Sequence, residues 1–74
     1  MTFLQDFSSR LRIARRRRKL TQQALAELVG VTTSSIGMYE TARRMPGLDV
    51  VSALAAALDI SLDELIPGPG SPIR

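Results

Sequence analysis

Seven basic side chains stand between Arg10 and Lys19, with no acid among them. Residues 1–26 hold these seven and one acid, Asp6, and sum to +6; residues 27–74 hold three bases and six acids and sum to −3, which gives the net +3. Charge gathered in this way attracts polyanions far better than the same charge spread evenly. Other chemistries lack their residues. Cysteine and histidine are absent, which excludes zinc fingers, iron–sulfur sites, disulfides and histidine-based triads. No nucleophile–base pair can be assembled and no carboxylate cluster suggests a metal. The expectation is a protein that is not an enzyme and takes no cofactor, metal or small-molecule ligand.

The elements that must carry this charge are short helices. With 74 residues the chain suffices for one domain and one modest core, which close helix packing or dimerisation must stabilise. Phe7, Leu11 and Ala14 repeat at four and three residues, which predicts a first helix from Phe3 or Phe7 to Arg18, with Ser8 and Ser9 as competing caps. Thr21 caps a second helix with Leu25, Ala26 and Val29 inward, and Gly30 ends it. Thr32 caps a third, TTSSIGMYE, with Ile36 and Tyr39 inward. Two short helices joined by three or four residues containing glycine have the sequence shape of a helix-turn-helix. Pro46 and Gly47 punctuate the next loop. A fourth helix, LDVVSALAAAL, buries Val51, Leu54, Ala55 and Leu58 and ends at Asp59. Ser61 and Glu64 form a capping box that starts a fifth, complete by Ile66. Residues 1–66 thus read as one all-α, compact five-helix domain, and 67–74, PGPGSPIR, as a flexible tail. No apolar run approaches membrane-spanning length and the N-terminus is not a signal peptide, so the expected location is the cytoplasm.

These residues resemble the phage-repressor or Cro-like (Xre-type) helix-turn-helix family over roughly residues 7–66. The resemblance is carried by RLRIARRRRKLTQQALAELVGV, TTSSIGMYE and RRMPGLDVVSALAAALDISLDELI, above all by Leu20-Thr21-Gln22, Leu25-Ala26, Gly30-Val31, Ile36, Glu40 and Pro46. It implies a lambda-repressor-like fold with the third helix in the DNA major groove. It implies base contacts from Thr33, Ser34, Gly37 and Met38, a phosphate contact from Gln22, and an ion pair between Arg15 and Glu40. Small members commonly bind palindromic operators as dimers. The physics agrees: a helix N-terminus is a ready anion site, which suits Gln22. Thr32, Arg16, Arg17, Arg43 and Arg44 are further phosphate candidates. Leu62, Leu65 and Ile66 are the expected dimer surface, given a fifth helix that faces outward.

Several residues depart from the family pattern. The third helix exposes no Arg, Lys, Asn or Gln, the side chains that make the strongest bidentate base contacts. Gly37 sits in mid-helix. Lys19 and Ala42 stand where glycine is usual, and Ile13 and Leu28 where polar residues are usual. The expected function is a sequence-specific transcription regulator on double-stranded DNA, a Cro-like repressor or a restriction–modification controller, acting as a homodimer. The alternatives are an antitoxin-like protein that binds a toxin and autoregulates its operon, and a basic membrane-surface helix centred on residues 3–20.

Overall fold

The computed structural model describes residues 2–67. Five helices follow one another: α1 (Phe3–Arg17), α2 (Gln22–Val29), α3 (Thr33–Glu40), α4 (Leu48–Leu58) and α5 (Leu62–Leu65). No strand occurs among the described residues. The expected tail falls outside them beyond Pro67.

Each start has a chemical cause. Thr2 caps α1 rather than Ser8 or Ser9: its hydroxyl accepts from the Gln5 N–H, while the Gln5 carboxamide oxygen accepts from the Thr2 N–H, both at 3.1 Å. Thr21 and Thr32 accept from the N–H groups of Ala24 and Ser35 at 3.0 Å. The Glu64 carboxylate accepts from the Ser61 N–H at 3.3 Å and so begins α5. Gly30 ends α2 in the left-handed region at φ +83°, and Asp59 ends α4 there at φ +56°.

One core joins all five helices: Phe7, Leu11 and Ala14 of α1, Leu25 and Ala26 of α2, Ile36 and Tyr39 of α3, Val51, Leu54, Ala55 and Leu58 of α4, and Leu65 of α5. The Phe7, Leu11 and Ala14 face of α1 is therefore turned inward. None of the described helices is long and apolar enough to cross a membrane. Ser8 is buried and donates to the Tyr39 carbonyl, fastening α1 to α3.

The fifth helix does not simply face outward. Leu65 is fully buried and Ile66 packs against the core, because α5 rests on α1 and α4. Leu65 is thus corrected from a dimer residue to a core residue. Leu62, 43% exposed, is the outward side chain of the three.

Lys19 and Ala42 both adopt left-handed backbone, at φ +58° and +59°. There the Cβ crowds the following carbonyl, at about 1–2 kcal/mol per residue. Glycine relieves that strain but has more backbone entropy to lose. Lys19→Gly and Ala42→Gly should therefore each raise stability by a net of about 1 kcal/mol. Thermal unfolding should show this as a midpoint about 4–8 °C higher for each variant.

Candidate nucleic-acid interface

The four residues expected to touch bases share the outer side of α3. Ile36 and Tyr39 turn inward, and helical spacing puts Thr33, Ser34, Gly37 and Met38 on the opposite surface. Thr33 and Ser34 are exposed; Gly37 and Met38 are half-buried. A Cβ added at Gly37 would meet no atom within 4 Å, so no packing inside the protein requires a glycine. Gly37→Ala should stabilise α3 by about 1 kcal/mol. If base edges lie against this backbone, the same substitution should weaken DNA binding. Chemical unfolding and a gel-shift titration of one variant separate the two effects.

Glu40 at the end of α3 collects the neighbouring helices. Arg15 grips its carboxylate with two donors, Nε to Oε2 at 2.6 Å and Nη2 to Oε1 at 3.0 Å. The side chains are only 12% and 2% exposed. This contact, mainly the hydrogen bond to Glu40, holds the Arg15 guanidinium above its usual range despite the opposing effect of burial. Arg15 Nη1 also donates to the Leu20 carbonyl at 2.7 Å, which ties the α1–α2 link. Gln22 Nε2 donates to Glu40 Oε1 at 3.1 Å. A carboxamide has a second N–H, so Gln22 keeps a donor for a phosphate while Glu40 fixes its orientation at the start of α2.

The basic cluster divides. Arg12 Nη1 donates to the Glu40 carbonyl at 3.0 Å, satisfying the end of α3. Arg10 Nη1 reaches the carbonyls of Asp63 and Glu64 at 3.3 and 3.4 Å, and its Nε meets Asp6 at 3.4 Å. Arg10, Arg12 and Arg15 thus close the fold, and a guanidinium at a helix C-terminus also suits the dipole there. The sequence reading missed the roles of Arg10 and Arg12. The Asp6–Arg10 spacing of four residues was one available signal.

Arg16, Arg17, Arg18 and Lys19 have no side-chain partner among the described residues. Arg16 and Arg17 are about 100° apart around α1. Arg16 follows Arg12 by one turn, on the side toward α3, whereas Arg17 lines a groove against α4 and α5. Arg43 and Arg44 are exposed in the loop after α3, beside buried Pro46, and Thr32 is exposed at the α3 cap.

This geometry has known counterparts. The controller protein C.AhdI of a restriction–modification system from Aeromonas hydrophila superposes with a TM-score of 0.81 at 40% identity, over 85% of this chain and 96% of that one. The P22 c2 repressor, solved in complex with a synthetic operator, superposes with a TM-score of 0.79 at 34% identity, over 84% and 94% of the two chains. The HTH-type transcriptional regulator YobD of Bacillus subtilis is 40% identical over 60 residues, 81% of this chain, and this chain spans about half of its length. The helix-turn-helix family profile matches residues 11–65, a span that runs from Leu11 in the core of α1 to Leu65 in α5. With its capped α2, its glycine turn and its α3 held by Arg15 and Glu40, the chain belongs to the helix-turn-helix family.

Proposed function

We propose that this protein is a sequence-specific, DNA-binding transcription regulator, of the Cro-like repressor or restriction–modification controller type, that binds a palindromic operator as a homodimer. The observation that carries the proposal is the outer side of α3. Thr33, Ser34, Gly37 and Met38 form a continuous surface of small or unbranched side chains, and Gln22 is oriented beside it through Glu40. Such a surface lets the helix approach base edges in a major groove. Gln22 and Thr32 contact phosphates from two helix starts. Arg16, Arg43 and Arg44 add charge around the same side, and Arg17 adds charge from the far flank. Leu62, with half-buried Ile66 beside it, pairs two protomers so that both copies of α3 meet one face of the duplex. The solved relatives, one of them on an operator, support this reading.

Base reading is modest in this arrangement. Hydroxyls donate or accept, so Thr33 and Ser34 discriminate weakly. Met38 offers only apolar contact, and its natural major-groove target is the thymine methyl. Each contacted base should discriminate near the lower end of about 1–3 kcal/mol, with half-site spacing and DNA deformability supplying the rest. The test is selection of sites from a random DNA pool, followed by a scan that replaces each thymine with uracil. Selected sites should be palindromes with half-sites about one helical turn apart. One uracil should weaken the parent and leave Met38→Ala unaffected. Non-palindromic sites would overturn the dimer, and a dominant guanine would assign base reading to an arginine.

A further inference from the structure

The hydroxyls along α3 divide into two groups. Thr32 Oγ1 and Ser35 Oγ hydrogen-bond to each other at 2.9 Å, and Thr32 Oγ1 also accepts from the Ser35 N–H. Thr41 donates to the Gly37 carbonyl at 2.8 Å. These three are occupied with the helix itself. Thr33 and Ser34 are exposed and make no side-chain hydrogen bond among the described residues. A hydroxyl free to turn presents either its proton or a lone pair. Ser34, Gly37 and Met38 are neighbours at i, i+3 and i+4 on the outer side of the helix. Gly37 contributes no side chain there, and a Cβ built on it meets no atom within 4 Å. Room for one methyl group therefore stands beside Ser34 and Met38.

A pyrimidine in the major groove is recognised at two atoms. Thymine carries a methyl on C5 and an acceptor, O4, on C4; cytosine has no methyl and carries a donor, the N4 amino group. 5-Methylcytosine has the thymine methyl on the same C5 and keeps the cytosine donor. A side chain of fixed polarity separates the two methylated bases, since Arg and Lys only donate and ionised Asp and Glu only accept. Thr33, Ser34, Gly37 and Met38 include no such side chain. The purine partners are met in the same way: adenine N6 donates, guanine O6 accepts, and a rotating hydroxyl answers both.

We propose that the outer side of α3 reads the C5 methyl and not the group on C4, so that 5-methylcytosine in DNA replaces thymine opposite Met38. The ligand class is C5-methylated DNA, and the methylation state of an operator cytosine becomes part of what this protein reads. The inference rests on the base-reading role of α3 proposed above. Without the methyl, each half-site forfeits about one buried carbon, which for two half-sites is a loss of about fifteenfold in affinity, or about 1.6 kcal/mol.

The test is anisotropy titration of the full chain with four fluorescein-labelled duplexes of one selected palindrome. The uracil scan marks the thymine whose methyl the parent needs. At that position, in both half-sites, the duplexes carry thymine–adenine, uracil–adenine, 5-methylcytosine–guanine or cytosine–guanine. Thymine and 5-methylcytosine should bind within about twofold of each other. Uracil and cytosine should each bind about fifteenfold more weakly. Met38→Ala should bring all four within about twofold, and so should Gly37→Ala, which fills the gap with a methyl of the protein's own. A 5-methylcytosine duplex as weak as the cytosine one, with uracil weak as well, would overturn this proposal and leave thymine reading by Met38 standing. No loss with uracil at any position would overturn the Met38–methyl contact, and this proposal with it. A parent-like preference in both variants would also overturn the proposal, by placing the methyl on another residue.

Discussion

Arg15→Ala is expected to lower the free energy of unfolding by about 3–5 kcal/mol, the cost of leaving a buried charge without its partner. Glu40 is the charge left behind. Its side chain is 2% exposed, and without Arg15 its carboxylate keeps one side-chain donor, Gln22 Nε2. The same substitution frees the Leu20 carbonyl and loosens the link into α2. Removal of the other partner should cost less. The Arg15 side chain is already 12% exposed and donates to the Leu20 carbonyl, so in Glu40→Ala water and one carbonyl should solvate it. A folding unit of this size has little stability to spare, and Arg15→Ala should be substantially unfolded at body temperature. Urea unfolding followed by helical circular dichroism checks both variants. Equal midpoints for Arg15→Ala and the parent, with DNA affinity lost, would make Arg15 a phosphate ligand rather than a structural one. The pH dependence has a definite sign. Because the folded state raises the guanidinium's affinity for its proton, the contribution is fully present below the ordinary arginine range and is lost only as pH rises through the elevated value.

The second large effect is on DNA binding in salt. Each phosphate neutralised by a Lys or Arg adds about −0.9 to the slope of log affinity against log salt. A dimer that engages three or more cations per protomer reaches the range in which affinity falls at least about a thousandfold between 50 and 200 mM salt. Arg10, Arg12 and Arg15 spend their donors inside the protein, so fewer cations are available than the seven between Arg10 and Lys19. Arg16→Ala should reduce the slope and weaken binding to all sequences alike. Arg17→Ala, on the α4–α5 side, should reduce it less. Filter binding at four or five salt concentrations measures both slopes. A flat response of the parent would refute electrostatic DNA binding by this domain, and equal slope losses would show that Arg17 reaches the backbone as Arg16 does.

The local signals carried most of the element boundaries. Thr21, Thr32 and Asp59 act where their side chains or backbone preferences put them, because a cap is decided within four residues. The outer side of α3 was legible for a similar reason: Ile36 and Tyr39 define an inner face, and helical geometry then fixes the opposite one. The start of α1 was less legible. Thr2, Ser8 and Ser9 all carry hydroxyls able to cap, and Ser8 instead binds the Tyr39 carbonyl, 31 residues away.

The sequence by itself determined an all-helical fold without metal-binding thiols or imidazoles, with its charge massed at one place and a short helix presenting hydroxyls and a methionine. Only the tertiary structure decided what each charge does. A helical repeat says which side chains share a side, but it does not say which helix end lies opposite. Arg10 meets carbonyls 53 and 54 residues away, and Arg12 meets one 28 residues away. Those carbonyls need donors because a helix leaves its last ones unpaired, and packing alone brings the arginines within reach. Leu65 is inward for the same reason. Its four-residue helix has no decisive period of its own, and its orientation is set by the surfaces of α1 and α4 on which it rests.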